Sequence, residues 1–272
     1  MHSRQFHDRV RMEVDEAGVA VVSLTRPDKH NGFDLDMMDG LLAAAKALKR
    51  MRGLRAVVLR GDGPSFCAGL DFKSVLSQKG RALLAFSQLW WPFRNRFQAV
   101  NLRWRELPVP VVAAIRGNCF GAGVQLALGA DLRFATPDAR LSLMESKWGL
   151  VPDMGATTTL KGLLPRDVVM DLVMTGRIVS GEEARALGLV TEVAADPEAA
   201  AQRWIESVMT RSPDAVAATK RLFNRAWDLE AEVGLSAERK LQRRLMGNPN
   251  QKVSVARHLR GVERTFGPSR IR

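Results

Sequence analysis

The sequence predicts an α/β core followed by an α-helical C-terminal region, and two features carry that prediction. Up to about residue 195, short apolar runs of strand character alternate with stretches whose apolar residues recur at helical spacing. From Asp196 onward only the helical spacing remains. Alternation of this kind belongs to a sheet covered by helices. Residues 1–195 are therefore assigned to the core and residues 196–272 to the helical region, and no internal repeat or low-complexity block interrupts either.

Residues 10–13 and 19–24 read as strands joined by a turn at residues 15–18, with valines and a leucine supplying the pattern. The loop Arg26-Pro27-Asp28-Lys29-His30-Asn31-Gly32 follows; its cations suit phosphate oxygens as well as plain solvent. Asp34 precedes a helix whose buried side is Met37, Met38, Leu41, Leu42, Ala45 and Leu48. Residues 56–60 form a short buried strand, stopped by Gly61-Asp62-Gly63-Pro64, and residues 65–73 make a small-residue turn after it. A basic, tryptophan-rich passage spans residues 75–106, with helical spacing from Phe93 to Leu107. Trp90, Trp91, Phe93, Phe97 and Trp104 are expected in core or interface, a few of them lining an apolar tunnel.

The apolar run at residues 109–115 is a second buried strand, with prolines helping to delimit it. It leads into Gly117-Asn118-Cys119-Phe120-Gly121-Ala122-Gly123 and a helix begun by Val124, Leu126, Ala127 and Leu128. Residues 140–144 suggest another strand, 168–174 a helix, and 189–193 a strand. Ser180 reads as the cap of a helix closed at Gly188. Asp196-Pro197 and Ser212-Pro213 start the terminal helices, and Gly247-Asn248-Pro249 breaks them.

The chemistry is concentrated between Gly117 and Gly155. Gly121, Ala122 and Gly123 leave almost no side-chain bulk where the helix starts, so a ligand atom can touch backbone N–H groups carrying the positive end of the helix dipole. An anion or oxyanion site fits there, although small residues at such a turn also serve close packing. The turn at residues 65–73 offers a second donor that could converge on the same atom. Glu145 and Asp153 follow in a loop with Gly149 and Pro152, and acids beside an N–H-rich turn suit proton transfer at a carbonyl. Asp153 equally suits the cap of a helix starting near Gly155, and Glu145 an arginine partner.

Composition narrows the classes. With 272 residues, 46% of them hydrophobic, the chain can bury a full core. No apolar run approaches a bilayer-spanning length, and the N-terminal residues lack the hydrophobic centre of a signal peptide, so a cytoplasmic protein is expected. Cys67 and Cys119 have the number and spacing of neither a disulfide framework nor a zinc site; buried free thiols and no metal are expected. The net charge of +12 calls for an anionic partner, a nucleotide-containing small molecule or nucleic acid, beside its role in solubility. Its C-terminal cluster is Arg257, Arg260, Arg264, Arg270 and Arg272. No nucleic-acid motif accompanies the charge, so nucleic acid is not the expected partner.

Taken together, the 26–32 loop, Phe66-Cys67-Ala68-Gly69-Leu70-Asp71, residues 117–123, Ala130-Asp131-Leu132-Arg133 and Gly149-Leu150-Val151-Pro152 resemble the enoyl-CoA hydratase/isomerase, or crotonase, superfamily over nearly the whole chain. The resemblance implies a crotonase-like spiral of ββα units and a helical C-terminal region for trimerisation, often with two trimers forming a hexamer. It implies an acyl-CoA substrate, with coenzyme A present as part of that substrate and no separate cofactor. Leu70 and Ala122 would supply oxyanion-hole N–H groups, Ala68, Asp71 and Phe72 would lie along the adenine pocket, and Arg26 and Lys29 near the CoA phosphates.

At the acid positions the chain departs from the family's hydratases, which place two glutamates around a water. Gln125 stands at the first position and only Glu145 is an acid. An amide does not exchange a proton at neutral pH, so Gln125 can hold water or substrate but not act as the base. Asp153 matches a catalytic aspartate of the family's dienoyl-CoA isomerases, and Glu145 their glutamate, while their further aspartate falls at Gln125. The preferred expectation is double-bond migration, with Glu145, aided by Asp153, moving the proton. The alternatives are hydration and a catalytically silent CoA-binding or RNA-binding homologue.

Overall fold

The computed structural model describes residues 2–90, 92–227 and 229–271; Trp91 and Arg272, singled out above, lie outside them. Strands β1 (His2–Phe6), β2 (Val10–Val14) and β3 (Val19–Leu24) form an antiparallel meander at one side of a seven-stranded sheet. β1 was not foreseen because four of its five residues are exposed and show no apolar alternation. Helix α1 (Leu35–Arg50) follows, its N-terminus closed by Asp34, whose carboxylate accepts from Met37 N at 2.7 Å.

From β3 onward the sheet turns parallel through β4 (Ala56–Gly61) and β5 (Val111–Ile115). The passage between those strands holds α2 (Phe72–Ser77), α3 (Lys79–Ser87) and α4 (Arg96–Arg105), the last starting later than residue 93 because Asn95 and Gln98 cap it reciprocally. After β5 the chain crosses to a second, three-stranded sheet as β6 (Asn118–Phe120), makes α5 (Ala122–Leu128), and returns to the large sheet as β7 (Leu132–Ala135). It crosses again as β8 (Arg140–Ser142) and continues through α6 (Ala156–Thr159) and α7 (Arg166–Thr175). Strand in one sheet, strand in the other, then helix: this is the expected spiral of ββα units.

β9 (Val179–Ser180) completes the small sheet in the order β6-β8-β9. Ser180 caps α8 (Gly181–Leu187), which Gly188 ends in the left-handed region. The strand expected at residues 189–193 shrinks to β10 (Glu192–Val193), because Leu189 and Val190 are buried ahead of it against the core. The large sheet runs β1-β2-β3-β4-β5-β7-β10. Helices α9 (Pro197–Met209), α10 (Pro213–Ala226), α11 (Ala231–Leu245) and α12 (Pro249–Arg260) complete the chain.

Every residue of β5 is buried, as a strand covered on both faces requires. One face packs against α1, α4 and α5; the other meets Ala200, Ala201 and Ile205 of α9. The helical region is tied to the core by polar contacts as well. The side chain of Lys220 in α10 is only 9% exposed, donating to Asp131 at 2.7 Å and to the Val109 carbonyl at 2.8 Å, while Asp131 also accepts from Val111 N. Asp214, fully buried, gathers the Asn248 and Asn250 amides, the Ser269 hydroxyl and the Arg270 and Ile271 N–H groups, fastening the extended C-terminal tail to α10. Within the Ala130–Arg133 motif, buried Arg133 donates to the Leu189 and Ala130 carbonyls. Among the described residues no helix is long and apolar enough to cross a membrane.

Candidate active site

The two small-residue turns pack against each other. Cys67 and Cys119 pair as an isolated parallel bridge, with Cys67 N donating to the Asn118 carbonyl and Phe120 N to the Cys67 carbonyl. Gly123 permits the approach: a Cβ there would lie 2.5 Å from the Cys67 oxygen. Gly69 also abuts the other turn: a Cβ on it would lie 3.0 Å from the Phe120 oxygen and 4.0 Å from Ala122 N. Leu70 and Ala122 therefore face one cavity, and among the described residues neither N–H donates to a protein acceptor. Helix α5 has only seven residues, so it adds no long helix dipole to these two N–H groups.

The cavity has a volume of about 420 Å³. Ala68, Leu70, Phe72, Phe86, Leu89 and Phe97 form one side; Ala122, Met144, Trp148, Leu150, Val151 and Met154 form much of the other. Gln125, Glu145 and Asp153 are its polar groups. Of the aromatic passage, Phe97 reaches the cavity, Trp104 is core, and Trp90 and Phe93 stand in solvent. Phe86 and Leu89 were missed because they lie outside the stretch with clear helical spacing. Trp148, whose ring centroid is 5.1 Å from that of Phe72, was missed because it follows Glu145 in a single 3-10 turn. Larger grooves of about 700 and 680 Å³ flank α10, but among the described residues neither holds a buried, unpartnered carboxylate oxygen.

Glu145 points inward. Its Oε1 accepts from Gln125 Nε2 at 2.7 Å, while Oε2 is buried with no hydrogen-bond partner. No arginine pairs with it among the described residues. Gly121, at φ 50°, passes the carboxylate closely, and a Cβ at that position would sit 3.4 Å from Oε1. Burial holds the Glu145 carboxyl above its ordinary range; the Gln125 bond opposes the rise and the charge of Asp153 adds to it. Asp153 stands at the rim with more of its surface in solvent, and partial burial of its carboxyl raises it too. It does not cap α6, whose N-cap is Gly155 with no side-chain bond.

Arg26 lies against protein rather than opening to the surface. Its guanidinium pairs with Asp71 at 3.0 Å and donates to Ser74 Oγ and the Gly32 carbonyl. Asp71 also caps α2 through Ser74 N, which sets Phe72 on the cavity wall. Lys29 is exposed in the same loop. The two cysteines are free and buried, as expected, and burial pushes the Cys67 thiol up to about 12.

The ββα spiral thus encloses one apolar cavity that holds a sequestered carboxylate. The chain belongs to the enoyl-CoA hydratase/isomerase family, whose sequence model matches residues 14–265. It is 30% identical over 238 residues to human mitochondrial methylglutaconyl-CoA hydratase, covering 85% of this chain and 68% of that one. It is 31% identical to 1,2-epoxyphenylacetyl-CoA isomerase of Escherichia coli, covering 84% and 87%. A Thermobifida fusca protein solved in complex with CoA superposes with a TM-score of 0.76 at 27% identity, covering 88% of this chain and 93% of that one. Relatives named for hydration and for isomerisation thus share the scaffold.

Proposed function

We propose that the protein shifts a carbon–carbon double bond within an unsaturated acyl-CoA thioester, with Glu145 carrying the proton. The observation behind this reading is that one apolar cavity combines two unpaired main-chain N–H groups with a single deeply set carboxylate whose Oε2 is free. The thioester oxygen accepts from Leu70 and Ala122. Glu145 Oε2 takes a proton from the carbon next to the thioester, and the C–H electron pair moves toward the carbonyl to give a dienolate. The proton then returns two carbons further along, the double bond moves into conjugation, and the carbonyl re-forms. Atoms and charge balance without water.

Each preplaced donor contributes on the order of 3 kcal/mol to holding the oxyanion. A carboxyl raised toward the working pH serves both proton transfers. Coenzyme A runs past Ala68, Asp71 and Phe72 in this reading, with Lys29 toward its phosphates and Arg26 bracing Asp71 from behind. The CoA complex of the Thermobifida fusca protein and the positive net charge support it. Exposed Phe223, Trp227 and Val233 support association of the C-terminal helices into a trimer.

Hydration is the second reading, favoured by the influence of Asp153 on Glu145 and by the human hydratase relative. Incubation with trans-3-hexenoyl-CoA and trans-2-hexenoyl-CoA separates the two. Appearance of the conjugated thioester from the first supports isomerisation, whereas turnover of the second alone defeats it.

A further inference from the structure

The acid at residue 145 and the acid at residue 153 belong to different segments, and one side chain ties those segments together. Gln125 is 1% exposed. Its Nε2 donates to Glu145 Oε1 at 2.7 Å, and its Oε1 accepts from Met154 N at 2.9 Å. An amide fits that pair of partners because it presents a donor on one atom and an acceptor on the other while remaining uncharged. A glutamate would offer acceptors to both, which suits the Met154 N–H and repels the Glu145 carboxylate. Glu145 and Asp153 are the only titratable groups on the cavity wall among the described residues, and no cation lines it.

We propose that Gln125 is a positioning residue that fixes the acid pair: it occupies Glu145 Oε1, leaving Oε2 as the proton-carrying atom, and anchors the backbone directly after Asp153. The inference rests on Glu145 being the proton carrier. Oε1 spends a lone pair on the amide, so the incoming proton goes to Oε2, the oxygen buried without a partner. One turn of α5 lies between Ala122 N and this amide, so a single rigid element presents both an oxyanion donor and the holder of the base.

The test uses Gln125→Leu and Gln125→Glu in the full-length protein, with trans-3-hexenoyl-CoA as probe and circular dichroism to establish folding. Loss of the clamp in Gln125→Leu is expected to lower kcat on the order of tenfold to a hundredfold, with KM changed less than about threefold. The acid limb of its kcat–pH profile should move to higher pH, since the amide no longer favours the charged carboxylate. In Gln125→Glu the limb should move further, because two facing carboxylates share one proton. Should Gln125→Leu misfold, the displaced limb in Gln125→Glu is the deciding measurement. A folded Gln125→Leu with parental kcat and an unmoved limb would overturn the proposal, as would an unmoved limb in Gln125→Glu. Glu145→Gln is assayed alongside. If it stays active, the reading of Glu145 itself fails; if it is inactive while the Gln125 variants behave as the parent, only the positioning role fails.

Discussion

Adding one methyl group at Gly123 should damage the chemistry far more than the fold. Gly123 is not at positive φ, so alanine meets no backbone strain there, and its helix preference favours the change by up to about 1 kcal/mol. The obstacle is contact: the new Cβ would stand 2.5 Å from the Cys67 carbonyl oxygen and 2.9 Å from the Cys67 Cβ. An ordinary carbon–oxygen contact is about 3.3 Å, so the two turns must part by roughly 0.8 Å, and the atoms met are the backbone and Cβ of Cys67, with no rotamer to yield. Overpacking of this kind costs about 1–3 kcal/mol, of which the helix preference returns part. The same displacement separates the turns bearing Leu70 and Ala122, and a misplacement near 1 Å costs about a hundredfold in rate. Thermal melting and trans-3-hexenoyl-CoA turnover of Gly123→Ala, compared with Gly80→Ala, check this. Gly80 has nothing within 4 Å of an added Cβ and should gain stability slightly without losing turnover. Turnover of Gly123→Ala within about threefold of the parent would refute the claim that the packed turns set donor geometry.

Three further outcomes are expected. Glu145→Gln should reduce turnover about a thousandfold, as loss of a general acid–base group does. It should also raise the melting temperature near neutral pH: with its folded-state carboxyl above the ordinary range, Glu145 makes ionisation destabilising, so the gain should fade as pH falls below the usual carboxylate range. Asp214→Ala should free residues 261–271 to proteolysis and cost about 2–3 kcal/mol by denaturant titration. Burial works to raise the Asp214 carboxyl, but the N–H and amide donors outweigh it and hold it low, so its stabilisation is present above the ordinary aspartate range and lost as pH falls through the depressed value. Lys220→Met should cost about 3 kcal/mol in the same titration by stranding Asp131, and Lys220→Met with Asp131→Asn should recover much of it.

The sequence made the main strands and turns easier to foresee than the contacts that organise them. β3, β4, β5 and α1 are apolar runs of clear period, and the glycine-rich turns announce themselves by composition. Strand β7, four residues long, lacks the length for a period and surfaced only as part of a motif. Helices α2 and α3 keep few buried residues, Val75, Ala82 and Ala85, so their pattern is faint within a basic, aromatic passage. Glu145, Leu70 and Ala122, all read from loops and turns, line one cavity, whereas the inward turn of Arg26 does not follow from its loop's composition. Its partner Asp71 is 45 residues away, just as Gln125 meets Glu145 across 20 residues and Met154 across 29. Polar pairings at such separations are set by topology.

The abutting turns also govern when this corner of the cavity can come into being during synthesis. Strands β1 to β3 need only their neighbours in the chain, but the cavity corner joins residue 67 to residues 119 and 123, and the Gln125 amide waits for Met154. A nascent chain that has not cleared the ribosome past that methionine holds a meander and helices but no closed cavity. Chains halted there would leave a ligand-free, apolar cleft half assembled, the kind of surface that chaperones grasp.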